Sequence, residues 1–100
     1  MDVYEQLSLA TGFDWDFGNI DKNWIKHRVA LAECEQVFFN RPFVINPDPS
    51  HSLHEARFFA LGSTAEGRYL FMVFTLRGPL IRVISARDMT RKERKVYEDL

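Results

Sequence analysis

The sequence has little of several features that would indicate common functional classes. It contains one cysteine, Cys34, so no internal disulfide can form and a cysteine-rich metal site is excluded. No uninterrupted apolar run approaches the ~20 residues of a membrane span. Met1 is followed by acidic residues, which argues against a signal peptide. These absences predict a protein of the reducing cytoplasm that does not bind membranes.

Motifs of several enzyme mechanisms are also missing. The chain has no glycine-rich phosphate loop, no Ser/His/Asp elbow and no paired acids at metal-binding spacing. His51 and His54 stand three apart beside Glu55, but no further Cys or His follows at ligand spacing. Solvated loop histidines are the favoured interpretation. We therefore expect no metal and no cofactor.

Charge is distributed unevenly along the 100 residues, which are enough for one domain covering 1–100. Residues 1–50 carry eight acids and four bases, a net charge of −4, whereas residues 51–100 carry six acids and nine bases, a net charge of +3. Between Arg77 and Lys95 there are seven bases and two acids. This pattern predicts one negative end and one positive end, the latter suited to an anionic polymer.

Hydrophobic patterning predicts an α+β fold. Three strand candidates, separated by turn signals, cover 57–62, 68–75 and 80–86. The middle candidate is apolar on both faces, as a central strand is. A short strand at 43–45 precedes a proline-rich loop. We expect a small antiparallel sheet with the N-terminal helices packed on one face and a basic helix at the C-terminus.

The first forty residues predict one more strand and two helices. Apolar and acidic residues alternate from Phe13 to Phe17, which favours a strand. A helix is predicted to start near Ile20, capped by Asn19 or Asp21, and to end at His27. Helical spacing of apolar residues predicts a second helix over 29–39.

The two ends of the chain are also predicted to be ordered. Residues 1–12 are expected to form a short helix or an ordered tail. The last helix is predicted to begin at a capping box formed by Thr90 and Glu93. Its inner stripe is predicted to consist of Met89, Val96 and Leu100.

Arg82 and Arg87 are the most informative charged residues. Period-two alternation in 80–86 places Ile81, Val83 and Ser85 on one face and Arg82, Ile84 and Ala86 on the other. A guanidinium on a packed strand needs a partner. That partner could be a phosphate, whose oxygens match the guanidinium fork, or a carboxylate such as Asp14 or Asp16.

Other side chains suit phosphate chemistry as well. His27 could transfer protons, because an imidazole is suited to acid–base chemistry near neutral pH, although a surface histidine that ends a helix is the alternative. Glu55 could act as a base while Arg57 points at an anion, although a simple ion pair is the alternative. A set of His, Lys, Glu and Arg needs no metal and suits cleavage of RNA by its own 2′-hydroxyl.

In these residues the chain resembles the BrnT family, ribonuclease toxins of bacterial type II toxin–antitoxin modules with a RelE-like fold. The resemblance covers residues 13–98 and leaves 1–12 as an extension without an assigned role. The matching pieces are Phe13-Asp14-Trp15-Asp16, Asn23-Trp24-Ile25-Lys26-His27, Ala32-Glu33, Val37-Phe38, Asp48, His51, Glu55-Ala56-Arg57, Leu61-Gly62, Gly67-Arg68, Thr75, Arg82 to Arg87, Thr90, Glu93-Arg94 and Tyr97.

The resemblance implies an endoribonuclease that a cognate antitoxin masks. The catalytic residues that it implies are Lys26, His27, Glu55, Arg57, Arg82 and Arg87. We expect further RNA contacts from Arg68, Arg91, Lys92, Arg94 and Lys95. The implied partners are RNA, a small BrnA-like antitoxin anchored on rings such as Tyr97 or Phe58, and promoter DNA only through the antitoxin complex.

One position departs from the family pattern. Arg28 follows Lys26-His27, where the family usually has glycine, so either the helix end is built differently or His27 has another direction. Two alternatives to a toxin stay open from the residues alone. One is a non-catalytic nucleic-acid-binding module that uses the same basic face. The other is an interaction domain whose arginines only pair with Asp14 and Asp16.

Overall fold

The computed structural model describes residues 1–51 and 54–100, except for the side chain of residue 51. Its elements, in chain order, are α1 (Val3–Ser8), β1 (Gly12–Phe13), α2 (Phe17–His27), α3 (Leu31–Val37), β2 (Val44–Pro47), a short 3-10 helix (Pro49–His51), β3 (Arg57–Ser63), β4 (Tyr69–Arg77), β5 (Leu80–Asp88) and α4 (Arg91–Glu98). The predicted α+β class is confirmed. No described helix is both long and apolar enough to cross a bilayer.

Five strands form one sheet in the order β1-β5-β4-β3-β2. The three predicted strands are confirmed as β3, β4 and β5, which pair antiparallel, and β2 adds an antiparallel edge strand. β1 pairs with β5 in parallel. The sheet is therefore mixed, because one parallel edge strand adds to the antiparallel sheet that the sequence predicted.

One side of the sheet, called the core face here, carries the hydrophobic core. Leu70, Met72 and Phe74 alternate along β4 and are fully buried, as a central strand requires. The core also closes tightly against α3. A Cβ atom on Gly62 would lie 2.4 Å from Cγ1 of Val37, so only glycine allows this helix to approach β3 so closely.

Residues 1–12 are part of the folded body, and their predicted helix is confirmed as α1. Val3 and Leu7 pack against the core. The hydroxyl of Tyr4 accepts a hydrogen bond from the backbone N–H of Ile45 at 3.0 Å, on edge strand β2. Since the next element, β1, lies at the opposite edge of the sheet, the N-terminal segment links the two edges.

The start of α2 differs from the prediction. The strand expected over Phe13 to Phe17 stops at Phe13, and neither Asn19 nor Asp21 is the cap. Asp16 caps the helix instead, because its carboxylate accepts the backbone N–H of Asn19 at 2.7 Å. Local capping therefore prevails over the period-two alternation of the segment.

α2 runs along the edge of β5 beyond the end of β1. The amide of Asn19 donates to the carbonyl of Val83 at 3.1 Å, and the side-chain oxygen of Asn23 accepts from the N–H of Ala86 at 3.3 Å. Two asparagines thus occupy edge groups of β5 that no strand pairs. The direction of α2 follows from these contacts: its start lies beside Val83 and its end lies near Asp88.

The last two helices keep their predicted places with changed details. α3 is confirmed but shorter than the predicted 29–39. Thr90 and Glu93 form the predicted capping box of α4. The predicted inner stripe is wrong for Val96 and Leu100, which are exposed, because Tyr97 takes the inward position with 4 % of its surface exposed.

Candidate active surface

A β-bulge decides which side chains reach the face of the sheet opposite the core, called the open face here. Phe74 pairs with Val83 and Val73 pairs with Ser85, so Ile84 is an extra residue in β5. The predicted alternation is therefore wrong after Val83: Ala86 is buried in the core and Ser85 lies on the open face.

The open face carries three cross-strand rows, read from the strand register. The first row is Arg57, Thr75 and Arg82; the second is Asn46, Phe59, Val73 and Ser85; the third is Val44, Leu61, Phe71 and Arg87. Arg82 and Arg87 thus share a face, as the bulge requires. The first and third rows are four positions apart along β4, a distance of about 13 Å.

Arginines and carboxylates alternate at the first row. Arg82 donates to the carboxylate of Asp16, and its other terminal nitrogen lies 3.6 Å from Asp14. Arg77 lies 3.3 Å from Glu55 and 3.7 Å from Asp14. The pairing of Arg82 with Asp14 and Asp16, one of the two interpretations left open by the sequence, is thus present.

Hydrogen bonds shift the pKa values of two members of this cluster, Asp16 and Arg77. The pKa of Asp16 is lowered below its usual value, first by the hydrogen bond from the backbone N–H of Asn19 and then by the guanidinium of Arg82. The pKa of Arg77 is raised by its hydrogen bond to Glu55. These contacts favour the charged forms of Asp16 and Arg77.

Arg87, in the third row, has a different environment. Its two terminal nitrogens donate to the two oxygens of Glu93 at 2.8 and 3.0 Å. Its guanidinium carbon lies 4.1 Å from the centre of the Phe71 ring. The hydrogen bond from Arg87 lowers the pKa of Glu93 below its usual value. Arg87 is therefore a stacked, fixed cation about 13 Å from Arg82.

Lys26 and His27 lie at the other end of α2 from Asp16, both exposed. The helix has 11 residues, which corresponds to about 16 Å. The structure thus divides the six candidate catalytic residues into two groups. Glu55, Arg57 and Arg82 lie at the first row, and Lys26, His27 and Arg87 lie toward the opposite end of β5.

Arg28 itself adopts the left-handed conformation, with φ 53° and ψ 39°. Of the two alternatives, the differently built helix end is wrong, because the arginine takes the backbone conformation that glycine would take; a different direction of His27 stays a prediction. Its guanidinium carbon lies 5.3 Å from the ring centre of Trp24, a cation–π contact that offsets part of the backbone strain.

Arg68, expected to bind RNA, makes many contacts within the protein. It donates to Asp88 at 2.7 Å and to Glu33 at 3.1 Å. It also donates to the carbonyls of Arg28 and His27 at 2.7 and 3.0 Å. The pKa of Arg68 is raised, and the largest cause is its hydrogen bond to Asp88. Arg68 therefore ties the ends of α2 and β5 to α3, and its contact with RNA stays a prediction.

The remaining predicted side chains lie on the surface. The four bases of α4, expected to contact RNA, are exposed: Arg91, Lys92, Arg94 and Lys95. His54 is exposed, and the side chain of His51 lies outside the described residues. Burial raises the pKa of the Cys34 thiol to about 12, which supports its interpretation as a packed small side chain.

Sequence reasoning missed three residues of this surface. Arg77 was counted only as part of a basic stretch, although it alternates with Thr75 along β4 and contacts Glu55. Phe59 and Phe71 were assigned only to strands. The period-two alternation of side chains along β3 and β4 could have identified Phe59 and Phe71, because it places both on the same face as Arg57.

The comparisons with known proteins agree with this fold. A family model described as the ribonuclease toxin BrnT of type II toxin–antitoxin systems matches residues 15–93. A crystal structure of the Brucella abortus ribonuclease toxin BrnT is similar, with a TM-score of 0.58 and 19 % identity, covering 82 % of this chain and 100 % of that chain. This likeness shows a shared fold. A search of curated protein sequences finds no match. Because the family model matches most of its residues, the chain belongs to the BrnT family of ribonuclease toxins of type II toxin–antitoxin systems.

Proposed function

We propose that this chain is a cytoplasmic, metal-independent endoribonuclease that cleaves RNA through the substrate's 2′-hydroxyl. The observation that carries this proposal is the row of Arg57, Thr75 and Arg82 across the open face. The carboxylate of Glu55 is connected to this row by Arg77. Cations on both sides of one position, beside a carboxylate, suit a phosphate that gains charge during the reaction.

In the proposed reaction, Glu55 accepts the proton of the 2′-hydroxyl, and the freed oxygen attacks the adjacent phosphorus. The bond from phosphorus to the 5′-oxygen then breaks, a 2′,3′-cyclic phosphate forms, and the leaving oxygen takes a proton from water. Arg57 and Arg82 stabilise the extra negative charge, because guanidinium donors fit two phosphate oxygens at once.

Asp14 and Asp16 hold Arg82 in place without using all of its donors. A guanidinium has five N–H donors, so Arg82 can keep Asp16 and still donate to a phosphate. Its side chain is 17 % exposed, so it has little conformational freedom to lose when substrate binds. Preorganisation of this kind is the main source of electrostatic stabilisation in enzymes.

We assign Lys26, His27 and Arg87 to the flanking part of the RNA strand. The sequence suggested that His27 and Glu55 share the proton transfers, which requires both groups at one phosphate. His27 ends α2, about 16 Å along the helix from the Asp16 cap, whereas Glu55 contacts Arg77 at the first row. His27→Ala should therefore raise KM and change kcat little, whereas Glu55→Gln should lower kcat.

The first experiment incubates purified protein with single-stranded RNA in EDTA. We expect cleavage, and we expect Arg82→Ala to lower kcat by about 10²–10³. Lys22→Ala is the charge-matched control, since Lys22 is exposed on α2, and it should cleave normally. Intact RNA at high wild-type concentration would instead favour a non-catalytic nucleic-acid-binding module.

A second experiment tests the nucleophile. An oligonucleotide with a single 2′-deoxy residue at the cleaved position should resist cleavage there, and the normal product should carry a 2′,3′-cyclic phosphate. Cleavage at the deoxy position, or a requirement for Mg²⁺, would contradict the proposed mechanism.

We further propose that a small BrnA-like antitoxin covers the open face and α4 and so competes with RNA. Charge attraction between an acidic segment and these basic residues would speed association. Of the anchors suggested by the sequence, Tyr97 is wrong, because it is buried with its hydroxyl donating to the carbonyl of Pro42. Phe58 packs against the core but is only partly buried, and its contact with the antitoxin stays a prediction.

Expression in a bacterial host tests the partner. Expression of the chain alone should slow growth, and co-expression with the neighbouring gene should restore growth and give a complex that co-purifies. Only that complex should bind promoter DNA. Normal growth during strong expression of folded protein would count against the toxin.

A further inference from the structure

Two aromatic rings lie on the open face between the arginine rows. Phe59 belongs to the second row and Phe71 to the third. Their ring centres are 5.4 Å apart with an angle of 36° between the planes. Both residues point away from the core face, and both are partly exposed.

Packing alone does not account for this pair. A diagonal cross-strand aromatic pair adds modestly to sheet stability, but the core is already filled from the other face by Phe74 and its neighbours. Partly exposed rings with an arginine on either side, here Arg57 along β3 and Arg87 over Phe71, are typical of surfaces that bind single-stranded nucleic acid, where bases stack on rings and cations hold phosphates.

The guanidinium of Arg87 and the rings of Phe71 and Phe59 also lie next to one another in space, in that order. The guanidinium of Arg87 covers the Phe71 ring at 4.1 Å, and Phe71 adjoins Phe59. Phe71 is thus largely covered by Arg87, whereas Phe59 lies toward the first row with Arg57 on the same strand. A base of the RNA can stack on the ring of Phe59, and the phosphate of the same nucleotide can then reach the arginines of the first row.

We propose that Phe59, supported by Phe71, is a base-stacking platform for single-stranded RNA whose phosphates contact Arg57, Arg82 and Arg87. This assignment rests on the proposed function and adds the part of the substrate that the arginines do not contact. Because every base has a flat face, the platform predicts tolerance of sequence at this position.

The test measures binding of a fluorescent, 2′-O-methylated eight-nucleotide RNA, which lacks the nucleophile and stays intact. Phe59→Ala should weaken binding by about 5- to 150-fold, the range for loss of one stacked base. The salt dependence should not change, because no phosphate contact is lost. Arg82→Ala should instead reduce the salt dependence. Phe71→Ala should have a smaller effect than Phe59→Ala.

Three controls make the result specific. Phe59→Leu keeps an apolar side chain on the strand, so it should fold, yet it should bind like Phe59→Ala. Phe59→Trp should bind at least as well as wild type. Phe39→Ala is the matched aromatic control, since Phe39 is 77 % exposed at the end of α3, and it should not change binding.

Failure of this inference can be told apart from failure of the proposed function. If wild type cleaves RNA but folded Phe59→Leu binds RNA normally, the platform is wrong and the ribonuclease stands. If wild type binds but never cleaves, and Phe59→Leu binds weakly, the platform stands without the enzyme. If Phe59→Leu weakens only antitoxin binding, the rings belong to the antitoxin interface, which also overturns the platform.

Discussion

At the scale of single residues, Arg28 shows how a local contact compensates for backbone strain. A left-handed conformation costs a residue with a side chain about 1–2 kcal/mol, and an exposed cation–π contact such as that with Trp24 returns about 0.5–1 kcal/mol. Arg28→Ala should lose the contact and keep the strain, whereas Arg28→Gly should lose both. We therefore expect the glycine variant to be more stable than the alanine variant by about 1 kcal/mol in urea unfolding. Equal stabilities would show that Arg28 carries no strain.

Glu93 gives a prediction about pH. Its pKa is lowered in the folded protein by Arg87. A carboxyl whose folded pKa is depressed stabilises the fold above its unfolded pKa, and this stabilisation is lost as pH falls through the folded pKa. Below about pH 4.5, the free energy of unfolding should therefore fall more steeply for wild type than for Glu93→Gln. Glu98→Gln, an exposed change on the same helix, should follow wild type.

Residue-level predictions succeeded where one local signal sufficed. The capping box of Thr90 and Glu93 is read directly from spacing, and the need of Arg82 for a partner follows from its place on a packed strand. The inward position of Tyr97 was missed, because adjacent Val96 and Tyr97 both suit an inner stripe. Tyr97 points inward because its hydroxyl donates to the carbonyl of Pro42. This contact joins parts of the chain that are far apart in sequence, so no local pattern predicts it.

At the scale of secondary-structure elements, the bulge in β5 leads to a prediction about deletions. Deleting Ile84 removes the extra residue, so the ladder becomes regular and both arginines stay on the open face. Deleting Val73 from β4 shifts every later side chain of that strand to the wrong face. We expect the Ile84 deletion to fold with a loss of about 1–3 kcal/mol and the Val73 deletion not to fold. Circular dichroism melting of both variants measures this difference, and equal damage would contradict the assigned bulge.

Element boundaries show where patterning is insufficient. β3, β4 and β5 were found because turn residues separate them and because β4 is apolar throughout. The segment from Phe13 to Phe17 alternates apolar and acidic residues as a strand does. In the structure, only Phe13 of this segment lies in a strand, and Asp16 caps α2. The parallel pairing of β1 with β5 joins segments about 70 residues apart, and no local pattern encodes such a pairing.

At the scale of the whole molecule, α1 should contribute stability without taking part in catalysis. It lies before residue 15, where the family match begins, and it packs on the core face, away from the open face. Removal of residues 1–11 should cost about 2–4 kcal/mol, because the apolar contacts of Val3 and Leu7 are lost. Tyr4→Phe, which removes only the hydroxyl bonded to Ile45, should cost about 1 kcal/mol. Denaturant unfolding and cleavage per folded molecule test both effects, and unchanged stability of the truncated protein would contradict them.

The two halves of the sequence differ in net charge, but this difference did not predict where the charges lie in the folded protein. It predicted a negative end and a positive end, but acids of the first half pair with arginines of the second. Examples are Asp14 with Arg77, Asp16 with Arg82 and Glu33 with Arg68. The four bases of α4 stay exposed and keep the basic character that the sequence suggested for this helix. Long-range pairing of this kind depends on the fold and cannot be read from composition.

The extra residue at Ile84 also gives a rule for reading related sequences. In a regular strand, two side chains share a face only if an even number of positions separates them. Arg82 and Arg87 are five positions apart and share a face because one residue is taken up by the bulge. A relative with a regular fifth strand should therefore place its two arginines four or six positions apart, and an odd separation should indicate that the bulge is present.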